Sequence, residues 1–217
     1  MRPFVHVNCA MSADGKIAGT DRKQVRISSE EDMARVKGLR KKYDAILVGV
    51  GTVIADDPHL TIKGADYDTN PVRIVIDPHL RIPRDARVLD ESAPTVIITL
   101  EGNEELAEDD DNGIDCEEIV FAGKEKIDLG KAFEYLADEI GIENILVEGG
   151  GRTISELFRS KLVDRYSVFV GPLIIGGSDS PTPCDGDGWV SDGGLKLTLT
   201  GSETLGEGVL LTYDVRF

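Results

Sequence analysis

Two glycine-containing turns carry the residues whose types and spacing could do chemistry. The first lies in DAILVGVGTVIADDPHLTIK, residues 44–63, where Thr52 and Asp56 follow an apolar run and two glycines. The second lies in ILVEGGGRTISELF, residues 145–158. Each pattern is typical of a strand that ends in glycines and brings backbone N–H groups close to a ligand. At the carboxyl ends of strands in an α/β sheet, two such turns predict a site for an extended, phosphate-bearing ligand.

Strand and helix patterns alternate along most of the chain. Apolar runs predict strands at 4–9, 45–48, 60–62, 72–76, 95–99, 117–122 and 144–147. Helices are predicted from Ser29 to about Lys42, over 129–140 and over 152–160. Two terminal strands, near 195–203 and 208–216, predict a hairpin. We therefore expect an α/β fold with a mixed, mainly parallel central sheet, flanking helices and a C-terminal antiparallel hairpin.

The first predicted helix has a clear start. Ser29 is a suitable N-cap residue, and three acids follow it in the first turn. Met33, Val36 and Leu39 recur at the spacing of one helix face, which predicts that this face is buried. The acidic stretch at 101–116 predicts instead a solvated helix and loop.

Size and charge limit the classes of function. The 217 residues, 41% of them hydrophobic, predict one folded domain over residues 1–217. A net charge of −16 argues against binding to nucleic acid or to an anionic membrane. No apolar run is long enough to span a membrane, and MRPFVHVNCAM leads directly into a strand pattern. We expect a cytoplasmic protein without a secretory signal.

The cysteines and histidines are too few and too scattered to predict a metal site. They occur in no C-x-x-C or H-x-x-x-H arrangement, and the H-x-E with P-C-x-x-C signature of zinc deaminases is absent from the sequence. The cysteines therefore predict free thiols, and His6, which alternates with Phe4 and Asn8, predicts a structural residue. The six residues are Cys9, Cys116, Cys184, His6, His59 and His79.

Five sequence blocks, in this order, resemble a known family. NCAMSADGKIA, GLRKKYDAILVGVGTVIADDPHLT, NPVRIVIDPHLRIP, ILVEGGGRTISELF and GPLIIGG resemble the reductases of riboflavin biosynthesis over residues 4 to about 177. The chain is most similar to the free-standing archaeal type, 2,5-diamino-6-ribosylamino-4(3H)-pyrimidinone 5′-phosphate reductase, and is also similar to the reductase half of the bacterial bifunctional deaminase–reductase.

The resemblance implies a fold, a reaction and an assembly. The fold is dihydrofolate-reductase-like, and the assembly is a homodimer. The reaction is the NADPH-dependent reduction of the ribosylamino side chain to the ribitylamino form, by hydride transfer to the sugar C1′ imine. The chain carries no deaminase pattern, so we expect another protein to supply that step.

The resemblance also implies which positions bind the cofactor. The glycines of EGGG would admit the pyrophosphate, and the following helix N-terminus favours negative charge; the alternative for these glycines is a plain tight turn between strand and helix. Arg81 and Arg84 are candidates for the 2′-phosphate of NADPH because guanidinium makes bidentate contacts; the alternative for either arginine is plain solvent exposure. The implied cofactor positions are Ala10, Arg26, Thr52, Asp56, Leu80, Arg81, Ile82, Pro83, Gly149, Gly150, Gly151 and Arg152.

A second set of positions is implied to bind the phosphorylated pyrimidine substrate. Arg40 and Lys63 would supply local positive charge in an acidic protein, although Lys63 stands where bacterial members carry arginine. Asp56 and Glu148 are the acids expected at the reacting centre, to hydrogen-bond sugar hydroxyls or stabilise an iminium. The alternative for Asp56 is capping a loop. The implied substrate positions are Gln24, Ser28, Arg40, Leu60, Lys63 and Glu148, of which Gln24 departs from a small hydroxyl residue.

Two other functions stay open at this point. One is a pterin or folate reductase of the same fold, against which the N-terminal strand lacks the expected tryptophan-bearing signature. The other is a non-catalytic nucleotide-binding protein, against which the chain retains Asp56, Lys63 and Glu148. Asp14, in SADGK, is expected to fix its turn with Gly15 and to take no part in chemistry.

Overall fold

The structure, a computed structural model, describes residues 1–107, 114–191 and 193–217. These residues form nine strands: β1 (Phe4–Ser12), β2 (Ala45–Gly49), β3 (Val72–Ile76), β4 (Thr95–Thr99), β5 (Glu118–Phe121), β6 (Asn144–Gly149), β7 (Arg165–Gly171), β8 (Leu197–Leu205) and β9 (Gly208–Val215). Their helices are α1 (Glu30–Arg40), α2 (Val50–Asp56), α3 (Glu104–Ala107), α4 (Leu129–Asp138) and α5 (Gly151–Arg159). None of the helices in these ranges has the length and apolarity needed to cross a membrane.

The chain divides into two compact units. The first unit consists of Met1–Phe4 and Arg40–Leu146, and the second of Val5–Leu39 and Val147–Phe217. Strand β6 begins in the first unit and ends in the second.

The first unit is built on parallel strands in the order β5-β4-β3-β2-β6, with β2 to β5 running parallel. The segments AILVG and TVIIT are buried at every residue. Continuous apolar runs of this kind suit parallel strands that are covered on both faces. Helix α4 adds Leu129, Phe133 and Leu136 to the core, at the spacing of one helix face. The predicted strands and helices of this unit are thus confirmed, with the exception of residues 60–62.

A buried arginine holds the edge at which these strands begin. Arg73, in β3, is 1% exposed, and its guanidinium donates to Thr95 Oγ1 at 2.9 Å and to Asp90 Oδ1 at 2.7 Å. It also donates to the carbonyl oxygens of Arg87, Asp90 and Ala93. Burial alone would raise the pKa of Asp90, but hydrogen bonds from Ser92 and Arg73 hold it at about 2. The charge of Arg73 is therefore compensated and its donors are satisfied.

The second unit has the strand order β6-β1-β7-β9-β8. Strand β1 runs parallel to β7, whereas β9 pairs antiparallel with both β7 and β8. The predicted C-terminal hairpin is confirmed, and with it the mainly parallel α/β fold. All three cysteines of the chain are free thiols, as predicted.

Two predictions on local structure are wrong. Residues 60–62 form no strand, because Leu60 adopts a left-handed φ of 52° and Ile62 N–H donates to the side chain of Asn70 at 2.8 Å. Helix α1 begins after Ser29 as predicted, but its apolar residues do not form its buried face. Met33 is 36% exposed, whereas Asp32 is 1% exposed. The acidic stretch contains α3, and its residues 108–113 lie outside the described residues.

A polar line crosses the second unit from β1 to β9. The imidazole of His6 is buried and lies 2.8 Å from Ser167 Oγ, which in turn lies 3.4 Å from Thr212 Oγ1. Burial, and then the positive charges of Arg165 and Arg35, lower the pKa of His6 to about 4. The structural role predicted for His6 thus has a defined partner, and the neutral imidazole is the form that fits.

We expect His6 to make the protein sensitive to mild acid. Its pKa is about 4 when folded and 6.5 when unfolded, so the unfolded chain binds the proton first and stability falls as pH drops from 6.5 toward 4. By pH 5 this group alone should lower the free energy of unfolding by about 2 kcal/mol. The free energy of unfolding, measured with urea at pH 7.5 and at pH 5, should fall by about 2 kcal/mol less in His6→Gln than in the unsubstituted protein. Equal losses in both proteins would contradict the assignment.

Candidate functional site

In the first unit, two candidate residues lie on one face of a short helix. The chain leaves the buried strand β2 at Gly49 and enters α2 at once, which places Thr52 and Asp56 four residues apart. Thr52 is half-buried, and Asp56 remains in contact with solvent. Partial desolvation nevertheless raises the pKa of Asp56. Perturbation of this kind is frequent at functional sites, so Asp56 keeps its place as a candidate.

The loop-capping role that was the alternative for Asp56 is carried by its neighbour. Asp57 ends α2 with a left-handed φ of 40°, and its N–H donates to Val53 O at 2.9 Å. Its carboxylate accepts from the Arg87 backbone N–H at 2.8 Å, and its second oxygen lies 3.1 Å from Arg87 Nε. Asp57 therefore fixes the end of the helix that presents Asp56.

The turn after β3 is held by a buried acid. Asp77 is fully buried, and its carboxylate accepts from Ile82 N–H at 2.8 Å. Asn103 Nδ2 donates to Pro78 O at 2.9 Å from the other side of the turn. Leu80, at the centre, adopts a left-handed φ of 48°. These contacts fix the backbone of the predicted cofactor segment 80–83.

Within this segment, side chains alternate between the core and the surface. Leu80 and Ile82 belong to the buried apolar cluster that also contains Leu60 and Val53 of α2. Arg81 and Pro83 are exposed. Leu60, Leu80 and Ile82 can therefore offer a ligand little besides their backbone, whereas Arg81 can offer its guanidinium.

The first unit brings the start of α2 and the segment 80–83 to the same edge. Gly49, the last residue of β2, pairs with Ile76, the last residue of β3, so the two strands end at one level. Backbone from both α2 and the turn after β3 leaves this carboxyl edge, where α/β proteins bind ligands.

Arg40 lies toward the opposite edge of the first unit. Its Nη1 donates to Thr61 O at 3.3 Å, which places it beside the loop that carries the exposed Lys63. An open cavity of about 450 Å³ lies here, and its lining includes Arg40, Asp44 before β2 and the first residue of β3, Val72. Arg40, one of the two predicted phosphate partners, is thus in contact with the loop that carries the other, Lys63.

In the second unit, Glu148 and the glycine turn are contiguous. Half-buried Glu148 is near the end of β6, and α5 begins at Gly151 with Gly150 as its N-cap residue. Gly150 has no side chain to accept from the first-turn N–H groups. Gly149 adopts a φ of 133°, a conformation that favours glycine. Arg152 is exposed in the first turn.

Gly151 has a structural reason to be glycine. A Cβ at this position would overlap Thr182 O and would come within 3.3 Å of the Asp185 carboxylate. The Asp185 N–H also donates to Gly151 O at 3.2 Å. The loop at 182–185 is therefore seated against the first turn of α5.

Asp14 acts on a distant segment in addition to its own turn. Its carboxylate accepts from Ile175 N–H at 3.1 Å and from Gly176 N–H at 2.7 Å, and the Ser12 hydroxyl donates to it at 2.5 Å. The hydrogen bond from Ser12, followed by that from Ile175, lowers the pKa of Asp14 to about 2. Asp14 thus ties the block GPLIIGG to the turn that follows β1.

The remaining candidates of the second unit are spread along its N-terminal part. Ala10 lies near the end of β1, opposite Phe169. Gln24 is exposed and forms an isolated bridge with Ala18. Arg26 is exposed and lies 3.7 Å from a Glu30 carboxylate oxygen, a contact of little energetic weight.

Comparison with known proteins assigns this geometry to a family. Residues 3–211 match the family model described as the RibD C-terminal domain. The chain belongs to this family. It is 40% identical to 2,5-diamino-6-ribosylamino-4(3H)-pyrimidinone 5′-phosphate reductase of Archaeoglobus fulgidus over 98% of both chains. It is 42% identical to the protein of the same name from Methanothermobacter thermautotrophicus over 100% of both chains.

A solved structure supports the dihydrofolate-reductase-like fold predicted for this RibD C-terminal domain. The chain is similar to the diaminohydroxyphosphoribosylaminopyrimidine deaminase/5-amino-6-(5-phosphoribosylamino)uracil reductase of Thermotoga maritima, with a TM-score of 0.77 and 27% identity. The match covers 99% of this chain and 57% of the other chain. The chain therefore spans a little over half of that bifunctional protein.

Sequence reasoning did not find the residues that hold these segments in place. Asp77 and Asn103 fix the turn after β3, and Asp32 anchors Ser28. One signal was available for Asp77, because Asp-Pro directly after an apolar strand favours a side-chain-capped turn. For Asn103 and Asp32, whose partners are 25 and 4 residues away, no local pattern distinguishes the role.

We expect Gly151→Ala to lower the free energy of unfolding of this RibD C-terminal domain in the absence of any ligand. The added methyl group must displace the loop at 182–185, at a cost of about 1–3 kcal/mol in the free energy of unfolding. Gly38→Ala in α1 is the matched control, because its Cβ meets nothing within 4 Å; it should be neutral or slightly stabilising. Chemical denaturation of the apoprotein measures both, and an unchanged Gly151→Ala protein would contradict the close packing.

Proposed function

We propose that the chain reduces 2,5-diamino-6-ribosylamino-4(3H)-pyrimidinone 5′-phosphate with NADPH, in riboflavin biosynthesis. The observation that carries the proposal is the full-length similarity, at 40% and 42% identity, to two archaeal reductases named for this substrate. The chain is accordingly an oxidoreductase.

The residues present suit a nicotinamide dinucleotide phosphate. When bound, NADPH supplies the reducing equivalent for the reaction. In the second unit, Gly149, Gly150 and Gly151 would admit a pyrophosphate to the backbone N–H groups of α5. In the first unit, the fixed turn 80–83 would bind through its backbone, with exposed Arg81 directed to the 2′-phosphate. Thr52, Asp56, Ala10, Arg26 and Arg152 complete the proposed cofactor set.

The acids and cations then have separate roles. Glu148 would hydrogen-bond the sugar or the base and stabilise positive charge on the imine as it is reduced. Asp56 would contact the cofactor and lie near the reacting carbon. Arg40 and Lys63 would balance the phosphate of the substrate, which an overall net charge of −16 otherwise repels. Solvent would supply the proton.

We further propose one reductase domain over residues 1–217 that works as a homodimer in the cytoplasm. The family match over residues 3–211 supports the domain, and the family resemblance supports the dimer. A phosphorylated substrate and a dinucleotide, neither of which crosses membranes unaided, support the compartment.

NADPH oxidation tests the reaction directly. We expect turnover with the ribosylaminopyrimidine phosphate and none with dihydrofolate or without substrate. Glu148→Gln should bind NADPH normally, as measured by fluorescence, but lose roughly 30- to 1,000-fold in turnover. This loss corresponds to about 2–4 kcal/mol of transition-state stabilisation. Asp56→Asn should weaken NADPH binding and slow turnover together. Full turnover in Glu148→Gln at saturating substrate would remove its role in the chemical step.

The choice of NADPH over NADH should depend on Arg81. Arg81→Ala should raise the KM for NADPH roughly 10-fold or more while leaving that for NADH nearly unchanged, because only NADPH carries the 2′-phosphate. Arg216→Ala, which removes an exposed arginine with no proposed role in cofactor binding, is the matched control, and Arg84→Ala reports whether the second candidate shares the 2′-phosphate. An equal rise for both cofactors in Arg81→Ala would argue that Arg81 supports the turn and does not contact the 2′-phosphate.

A further inference from the structure

The buried face of α1 is made by an ion pair. Asp32 Oδ1 accepts from Arg35 Nε at 2.9 Å and lies 2.8 Å from Arg35 Nη2. Arg35 Nη2 also donates to Asn8 Oδ1 at 2.7 Å, and Asn8 is buried on β1. A carboxylate removed from water in this way must be paired, and Arg35 both compensates and orients it.

The second oxygen of this carboxylate determines the direction of the Ser28 hydroxyl. Ser28 Oγ donates to Asp32 Oδ2 at 2.6 Å, the length of a strong charge-assisted bond. A serine hydroxyl has one proton, so this bond uses its whole capacity to donate. What Ser28 retains on its half-buried side chain is the capacity to accept.

The adjacent serine is used differently. Ser29 Oγ accepts the Asp32 N–H at 3.2 Å, which caps α1, and donates to Leu205 O at the end of β8 at 3.5 Å, so both of its functions are already in use. Of the two serines, Ser28 is the one whose acceptor side suits a ligand.

We infer that Ser28 Oγ accepts a hydrogen bond from the exocyclic 2-amino group of the pyrimidine, and that Asp32 and Arg35 are its positioning residues. This inference rests on the proposed function. The diaminopyrimidinone named for the archaeal relatives has an amino group at ring position 2. The aminouracil named for the Thermotoga maritima protein has a carbonyl oxygen there. An acceptor held without a proton to donate pairs with the amino group and leaves the carbonyl oxygen unpaired.

The identity of Asp32 therefore determines which pyrimidine is preferred. In Asp32→Asn the amide oxygen would stay with Arg35, and the amide N–H would donate to Ser28. The Ser28 proton would then be released to donate toward the substrate, and a carbonyl oxygen would become the better partner. If Asp32 had a purely structural role, its substitution would lower stability but would not change the relative preference for the two pyrimidines.

The test is the ratio of kcat/KM for the two pyrimidines, the diaminopyrimidinone and the aminouracil ribosylamino phosphates, with NADPH. The unsubstituted enzyme should favour the diaminopyrimidinone roughly 10- to 100-fold. Ser28→Ala should bring the ratio close to one, and Asp32→Asn should shift it toward the aminouracil. Ser29→Ala is the matched control, which should lower the melting temperature and leave the ratio unchanged. Melting temperature and NADPH fluorescence report whether each variant is folded.

The outcomes separate this inference from the proposed function. An unchanged ratio in Ser28→Ala, or a preference of the unsubstituted enzyme for the aminouracil, overturns the role of Ser28 and leaves the reductase activity standing. Reduction of neither pyrimidine overturns both. If Asp32→Asn does not fold, the Ser28→Ala ratio decides the matter alone.

Discussion

Hydrogen bonds to aspartate carboxylates hold in place the segments that carry the proposed site. Asp77 ties the turn after β3, Asp57 ends α2, Asp14 secures the segment at 175–176, and Asp32 directs Ser28. Each segment departs from regular structure, so its backbone or side-chain donors have lost the partners that a ladder or helix would give them. A carboxylate can accept several donors at once, which makes one short side chain sufficient to fix a whole turn.

This use of acids accounts for part of the acidic composition of the chain, whose net charge is −16. Part of the negative charge is committed inside the units, opposite arginines such as Arg73 and Arg35, or to loop donors. The pairs with arginine already cancel within that net charge, whereas the carboxylates held by neutral loop donors keep their full charge and add to the field that a phosphorylated ligand meets on approach. The depressed pKa values of Asp14 and Asp90, both about 2, mean that these ties persist through mild acid and are lost only as pH falls through that range.

Regular elements were predictable from the sequence, and exceptions to periodicity were not. Strands β2, β3 and β4 were found because continuous apolar runs admit few other structures. The face of α1 was misassigned because a buried Asp32–Arg35 pair reverses the usual sorting of polar and apolar residues. At the site, the resemblance supplied positions such as Thr52 and Glu148, and local pattern alone would have given only two glycine turns. Supporting residues such as Asn103 and Asp14 lie far along the chain from the segments they hold, a relation that a single sequence does not record.

Successive side chains of the segment at 80–83 alternate between the core and the surface. Leu80 and Ile82 fill the apolar cluster of the first unit, while Arg81 between them faces solvent. Under the proposed function, backbone contact with the cofactor and packing of the core are properties of the same two residues. A substitution at Leu80 that improves core packing would also shift the backbone proposed to bind the cofactor. A substitution that raises cofactor affinity would disturb core packing. Under the proposed function, a change at Arg81 should therefore alter cofactor choice without disturbing the core, whereas changes at Leu80 and Ile82 should alter core packing and cofactor affinity together.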